Sequence, residues 1–302
     1  MLGWRENPNP NSLSSYDKAA DLESIKMWDT TNGKRALLCA VTYNEQKYKL
    51  NGTNYDVNSM QELLISRFHF PRSSIRILAE MDSHPHPTKR NIQEALRWLV
   101  KDNRPGDSLV FYFSGHGLRQ PDFFDEEIDG FDESICPLDF RTAGMIVDNE
   151  INDTIVRPLE TGVKLHAIID ACHSGTILDL PHVCSSKEKR WLDNRPPSGV
   201  YKGTSGGHAI SISACEDNQL AVDTSAFSES GKQMEGAMTS TFKKALKENS
   251  RTYFSLMASM HKDILEAKAK RFSLRGLFHR ERLQVPLLSS SKEFDVNEPF
   301  VL

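Results

Sequence analysis

From about residue 35 onward, short apolar runs alternate with amphipathic stretches. Arg35–Thr42 (RALLCAVT) is apolar throughout and reads as a buried strand. Val57, Met60, Leu63, Leu64 and Phe68 recur at helical spacing, so a helix is expected over Val57–Phe68. Ser74–Leu78 is a second strand candidate. Thr88 is placed to cap a helix running to about Val100, with Ile92, Leu96, Leu99 and Val100 on one face. The cluster Asn103–Asp107 (NRPGD) stops it. Ser108–Phe113 (SLVFYF), Lys164–Ile169 (KLHAII) and His208–Ala214 (HAISISA) are further strands. Thr241–Lys247 and Phe254–Ala267 read as helices. Leu283–Ser289 (LQVPLLS) is a sixth strand candidate, placed at a sheet edge because Pro286 lacks a backbone donor.

Strands alternating with helices predict an α/β fold: a central, mostly parallel sheet of about six strands with helices on both faces. Loops leaving the carboxyl ends of such strands build active sites. Residues 1–33 are rich in Asn, Ser and Pro and read as a loosely ordered leader. The remainder, 34–302, divides into a larger part (34–180), a linker (181–207) rich in Lys, Pro, Ser and Gly, and a smaller part (208–302).

Composition narrows the class. A formal net charge of −4 gives no general argument for nucleic acid. Lys268–Arg282 carries six Lys or Arg residues around Phe272, Leu274, Leu277 and Phe278. It reads as a solvated insert rather than an anionic or membrane contact. Five cysteines at irregular spacing do not suggest a disulfide framework. No apolar run is long enough for a membrane span, and the first residues lack a signal-peptide core. The expectation is a protein of the cytosol or nucleus.

Two strands end in small, polar, glycine-bearing loops. SLVFYFSGHG contains His116, and KLHAIIDACHSG contains Cys172. A thiol has an ordinary pKa of about 8.5 and needs a base to act as a nucleophile near neutrality. If the two strands are neighbours, their loops bring that base to it. Zinc held by His116, Cys172 and His173 is the rival use, with no clear completing ligand.

The DACHSG loop, with the SGHG histidine upstream, is similar to the metacaspases, caspase-like peptidases. Supporting segments are LNGTNYDV (50–57), GFDESICPLDF (130–140), GMIVDNE (144–150), SGTILDLP (174–181), ISACEDNQLA (212–221), GAMTSTF (236–242) and QVPLLSSS (284–291). The short linker resembles type I of the family. The resemblance implies a caspase-like fold, with His116 and Cys172 as catalytic dyad. It implies cleavage after Arg or Lys, with an acidic primary pocket whose carboxylates are Asp56 and Asp170 and which includes Ser114. Thr53 stands where many relatives have cysteine. It also implies Ca2+ as cofactor, held by Asp132, Asp148 and Asp179, with Asn149 in place of a fourth aspartate. A monomer acting on protein and peptide substrates is implied as well. A peptidase of that preference would find Lys187, Lys189, Arg190, Arg195 and Lys202 in its own linker, which is expected to be exposed. Two alternatives remain: a catalytically quiet scaffold of the same fold, and a relative preferring Asp or Asn. The carboxylates at Asp56 and Asp170 argue against the second.

Overall fold

The computed structural model describes residues 33–171, 175–185, 190–213, 223–224, 235–248, 250–272 and 286–302. An eight-stranded sheet forms the centre, in the order β2-β1-β3-β7-β10-β13-β8-β9. The strands are β1 (Lys34–Ala40), β2 (Ile75–Ala79), β3 (Ser108–Ser114), β7 (Lys164–Asp170), β10 (His208–Ser213), β13 (Leu287–Ser290), β8 (His182–Ser185) and β9 (Arg190–Asp193). From β2 to β10 every pairing is parallel. The last three, β10 to β13, β13 to β8 and β8 to β9, are antiparallel. The sheet is therefore mixed, with a parallel body and an antiparallel flank.

That flank corrects two expectations. The strand after Pro286 is interior, lying between β10 and β8. Pro286 sits just before the strand, so its missing donor costs no ladder bond. The linker is not simply an exposed connection either, because its first half forms β8 and β9. Trp191 anchors β9 by donating from Nε1 to the Phe294 carbonyl at 2.9 Å.

The parallel strands are apolar on both faces because helices cover both. Ala36, Leu38 and Ala40 of β1 join a core with α1 (Thr53–Ser66), α5 (Ala237–Lys247) and α6 (Tyr253–Phe272). Leu37, Cys39 and Val41, alternate in sequence, join a second core with α2 (Lys89–Val100). Thr88 caps α2, its hydroxyl accepting from the Asn91 amide at 3.3 Å. Fully buried Arg35 closes the other end of α2, donating to the Lys101 carbonyl at 2.6 Å and pairing with Asp107 at 3.2 Å.

A small antiparallel sheet, β4 (Gly117–Pro121), β5 (Phe131–Ile135) and β6 (Ile146–Val147), rises directly from the His116 loop. Two one-turn helices complete this side, α3 (Phe140–Ala143) and α4 (Asp148–Ile151). A two-residue ribbon, β11 (Asp223–Thr224) with β12 (Glu235–Gly236), precedes α5.

Candidate active site and acidic pocket

The central pair β3–β7 sets the geometry. Ser114 ends β3 opposite Asp170, which ends β7. The Gly115 amide donates to the Asp170 carbonyl at 3.3 Å, extending the ladder into the loops. His116 follows Ser114 by two places, and Cys172 follows Asp170 by two. The two loops thus leave from paired neighbours. Cys172 and His173 themselves lie outside the described residues.

His116 is held on three sides. Its amide donates to the Tyr43 hydroxyl at 3.0 Å, and that hydroxyl donates to the Cys136 carbonyl at 2.6 Å. Its ring lies 4.8 Å from the Tyr43 ring and 5.7 Å from that of Tyr48. Nε2 is 2.7 Å from the Tyr48 carbonyl. A carbonyl only accepts, so Nε2 carries the proton and Nδ1 is the basic nitrogen of the neutral ring. Cys39, by contrast, is fully buried in the core, and burial pushes its thiol far above the ordinary range. It is no substitute nucleophile.

Beside these loops, Asp56 and Asp170 are buried and converge on one glycine. The Gly236 amide donates to Asp56 Oδ2 at 3.0 Å. A Cβ on Gly236 would overlap Asp170 Oδ2 and sit 3.0 Å from Asp56 Oδ2, so only glycine fits there without a shift. Asp170 Oδ2 also accepts from the Thr239 amide at 2.9 Å and its hydroxyl at 2.7 Å. The Tyr112 hydroxyl lies 2.8 Å from that of Thr239. Burial, then the charges of Asp56 and Asp170, push Tyr112 well above its usual range. Thr53 is buried, its hydroxyl 2.8 Å from that of Thr42, and Ser114 is buried at the strand end. All four predicted pocket residues are therefore buried near the sheet's carboxyl edge. Asp56 does not cap α1, whose N-cap is Gly52. Gly236 and Thr239 were missed by sequence reasoning, because nothing local marks a residue that hydrogen-bonds a carboxylate distant in the chain.

A second acidic cluster lies where β4–β6, the Asp179 turn and residue 202 meet. Ligand atoms of Glu127, Asp132 and Asp148 lie within 4.8 Å of one another. Asp148, fully buried, accepts from the Glu133 amide at 2.6 Å and the Asn149 amide at 2.7 Å. Asn149 Nδ2 reaches Asp132 Oδ1 at 3.4 Å. Lys202 Nζ contacts Asn149 Oδ1 and Asp179 Oδ2, and Glu126 Oε2 at 2.6 Å. The predicted set Asp132, Asp148, Asn149 and Asp179 is thus brought together, joined by Glu126 and Glu127. Asp122 shapes that loop by accepting from the amides of Phe124, Glu126 and Glu127 at 2.6–2.8 Å.

The charges here are poorly compensated. Burial, then Asp179, Asp148 and Glu133, push Glu127 up to about 10. Burial pushes Asp179 up to about 6 despite the attraction of Lys202. Burial alone would lower the Lys202 pKa, but Asp179 and Glu126 together raise it. Buried oxygens short of positive charge are the donor set a hard divalent cation takes. Glu127 Oε1 is buried with no hydrogen-bond partner. The residues fit calcium.

Lys202 corrects the linker picture further. Only 6% exposed and paired on three sides, it is not open to a peptidase in this structure. Arg190 and Arg195 are exposed, the latter paired with Asp193 at 2.5 Å. Lys187 and Lys189 lie outside the described residues.

A crystal structure of a protein from Geobacter sulfurreducens superposes with a TM-score of 0.56 over 89% of this chain and 98% of its own, at 19% identity, and so establishes the fold alone. The class this defines is an α/β protein with helices packed on a central sheet. Residues 34–181 match the metacaspase, peptidase C14 domain. Metacaspase-1 of Arabidopsis thaliana is 51% identical over 85% of this chain and 71% of its own length. Metacaspase-3 of the same plant is 48% identical over 87% of the chain and 74% of its own, and Metacaspase-2 is 48% identical over 77% and 57%. The chain belongs to the metacaspase family. It is a plant-like, cysteine-type endopeptidase whose substrates are proteins. Among the described residues no helix is long and apolar enough to cross a membrane.

Proposed function

We propose that the chain is a calcium-dependent endopeptidase that cleaves after Arg or Lys through a Cys172–His116 dyad. The observation that carries this reading is the Ser114–Asp170 register, which launches both catalytic loops from adjacent strand ends. With Nε2–H bonded to the Tyr48 carbonyl, His116 Nδ1 takes the thiol proton of Cys172. The thiolate attacks the scissile carbonyl carbon, forming the C–S bond. As the C–N bond breaks, His116 returns that proton to the leaving amine. Water, deprotonated by the same nitrogen, then cleaves the acyl-enzyme.

Asp56 and Asp170 supply the negative charge that selects Arg or Lys before the scissile bond, with Thr53 and Ser114 as walls. Asp170 enters that pocket oriented by Thr239. Asp132, Asp148, Asn149 and Asp179 would hold calcium, which supplies positive charge to order the loops and no covalent chemistry. Asn149 brings one negative charge fewer than aspartate, which favours a weak site in the millimolar range. Self-cleavage falls on the exposed Arg190 or Arg195, or on Lys187 or Lys189, and the enzyme works as a monomer in the cytosol or nucleus.

A panel of fluorogenic peptides with Arg, Lys, Asp or Asn before the scissile bond, assayed with calcium and with excess chelator, tests this. Turnover of Arg and Lys peptides only with calcium is expected. Full activity in chelator, or a preference for Asp or Asn, overturns it.

A further inference from the structure

The second acidic cluster already holds a cation that belongs to the chain. The Lys202 ammonium has three donors and no acceptor, and it meets three oxygens, on Glu126, Asn149 and Asp179. Two of these residues, Asn149 and Asp179, are also candidate calcium ligands. The arrangement is built from behind. Fully buried Asn152 donates from Nδ2 to the carbonyls of Leu178 at 2.8 Å, Asp179 at 3.2 Å and Lys202 at 3.1 Å. One amide therefore ties the backbone of residue 202 to the Asp179 turn. The Asp179 backbone is itself held in the left-handed region, with φ of 50°.

The charge count is uneven. Among the described residues the Lys202 ammonium pairs with Glu126 and Asp179 and Arg119 lies 3.1 Å from Glu133, while Glu127, Asp132 and Asp148 cluster beside them. A divalent cation would relieve that excess, but calcium binds oxygen at about 2.3–2.6 Å. An ammonium at hydrogen-bond distance from the same oxygens would then lie against it, and like charges that close repel strongly in a buried site. Both cannot occupy the pocket.

We propose that Lys202 competes directly with a divalent cation for Asn149 and Asp179, so that binding the cation expels the Lys202 side chain from the pocket. The inference rests on the calcium reading above. It makes Lys202 the residue that sets the strength of the cation response. It also hides one linker lysine from a peptidase of basic preference until the cation arrives.

The test uses the full chain carrying Cys172→Ala, which prevents self-cutting, titrated calorimetrically with calcium chloride. Adding Lys202→Gln removes the ammonium and should tighten calcium binding roughly tenfold or more. Adding Asp148→Asn instead should weaken it. Equal or weaker binding in the Lys202→Gln protein, while the parent binds calcium, overturns the competition and leaves the site standing. No calcium uptake by either protein removes the site and the proposal together. An independent reading needs no change at residue 202. An amine-reactive label, located by peptide mass spectrometry in the parent, should mark Lys202 weakly in chelator and several-fold more in calcium. Unchanged labelling under calcium saturation overturns the proposal, even if the Lys202→Gln chain fails to fold.

Discussion

Asp56 and Asp170 are buried against neutral donors, the amides of Gly236 and Thr239 and the Thr239 hydroxyl. In the second region the Lys202 ammonium meets Glu126 and Asp179, and Glu127, Asp132 and Asp148 cluster among themselves. The first arrangement fixes the carboxylates through N–H and O–H donors that carry no formal charge. It suits a site that must be ready for a cationic substrate side chain. The second cancels only part of its charge, and with a group on a side chain able to move. It suits a site whose occupant changes. Two acidic regions in one chain thus differ in what holds their carboxylates.

The largest expected effect lies upstream of both. Cys172→Ala or His116→Ala should lower peptide turnover by roughly a thousandfold or more, with the thermal midpoint little changed. Wild-type turnover in either variant rules out the dyad. Next, Asp170→Asn or Asp56→Asn should lower kcat/KM for Arg and Lys peptides by about 30-fold to several thousand-fold, since a desolvated pair to substrate is worth about 2–5 kcal/mol. Unchanged kinetics in both would show that these carboxylates do not face the substrate. Asn149→Asp should shift calcium activation to lower concentration by a smaller factor. The added charge favours Lys202 as well, but a dication gains about twice what the ammonium gains.

A fourth expectation concerns pH. His166 is buried, its Nε2 2.6 Å from the Tyr253 hydroxyl and its ring against Phe300. Burial, then Lys164 and His208, lower it to about 3. His208, against Ser290 and Phe294, is lowered to about 4 by burial, then by Lys292 and Lys164. Their folded pKa values lie below the unfolded one. Their contribution is therefore full above about pH 6.5 and is lost as pH falls toward 4 and 3. The raised carboxylates Asp179 and Glu127 work in the opposite sense: their burial costs stability as pH rises through about 6 for Asp179 and about 10 for Glu127. In chelator, His166→Gln should flatten the acid side of the stability profile by about 1.4 kcal/mol per pH unit at most. Denaturant melts between pH 4 and 7 measure this, and an unaltered slope would remove His166 from the account. The smallest effect belongs to the exposed Arg195–Asp193 pair. Arg195→Ala should leave the thermal midpoint unchanged and alter only the pattern of self-cleavage fragments.

The parallel body of the sheet was legible because its strands are short apolar runs, apolar on both faces, and two of them, β3 and β7, end in glycine-bearing loops. The boundaries of β1, β3 and β7 shifted by a residue or two. The antiparallel flank was hidden. His182–Ser185 is half-buried throughout and Arg190–Asp193 is mostly exposed, so neither is an apolar run, and Ser, Lys and Pro around them look like linker. Asp132, Asp148, Asn149 and Asp179 were reachable only through resemblance. Their partner Lys202 carried no local sign, since a lysine among Gly, Thr and Ser looks solvated until its burial is seen. Gly236 and Thr239 depend on contacts 180 and 69 residues away, which no periodicity reports.

The interior position of β13 bears on how the chain acquires its shape during synthesis. Strands β2, β1, β3, β7 and β10 form a contiguous parallel block from residues that emerge early. The β8–β9 hairpin is made before β10, yet among the described residues its sheet pairing with that block runs through Leu287–Ser290. While the intervening residues are being translated, the hairpin has no sheet to join, and the outer edge of β10 stays open. An open edge of that kind is a template for another chain. Closure of this sheet therefore waits on a four-residue strand that is translated after all its other members.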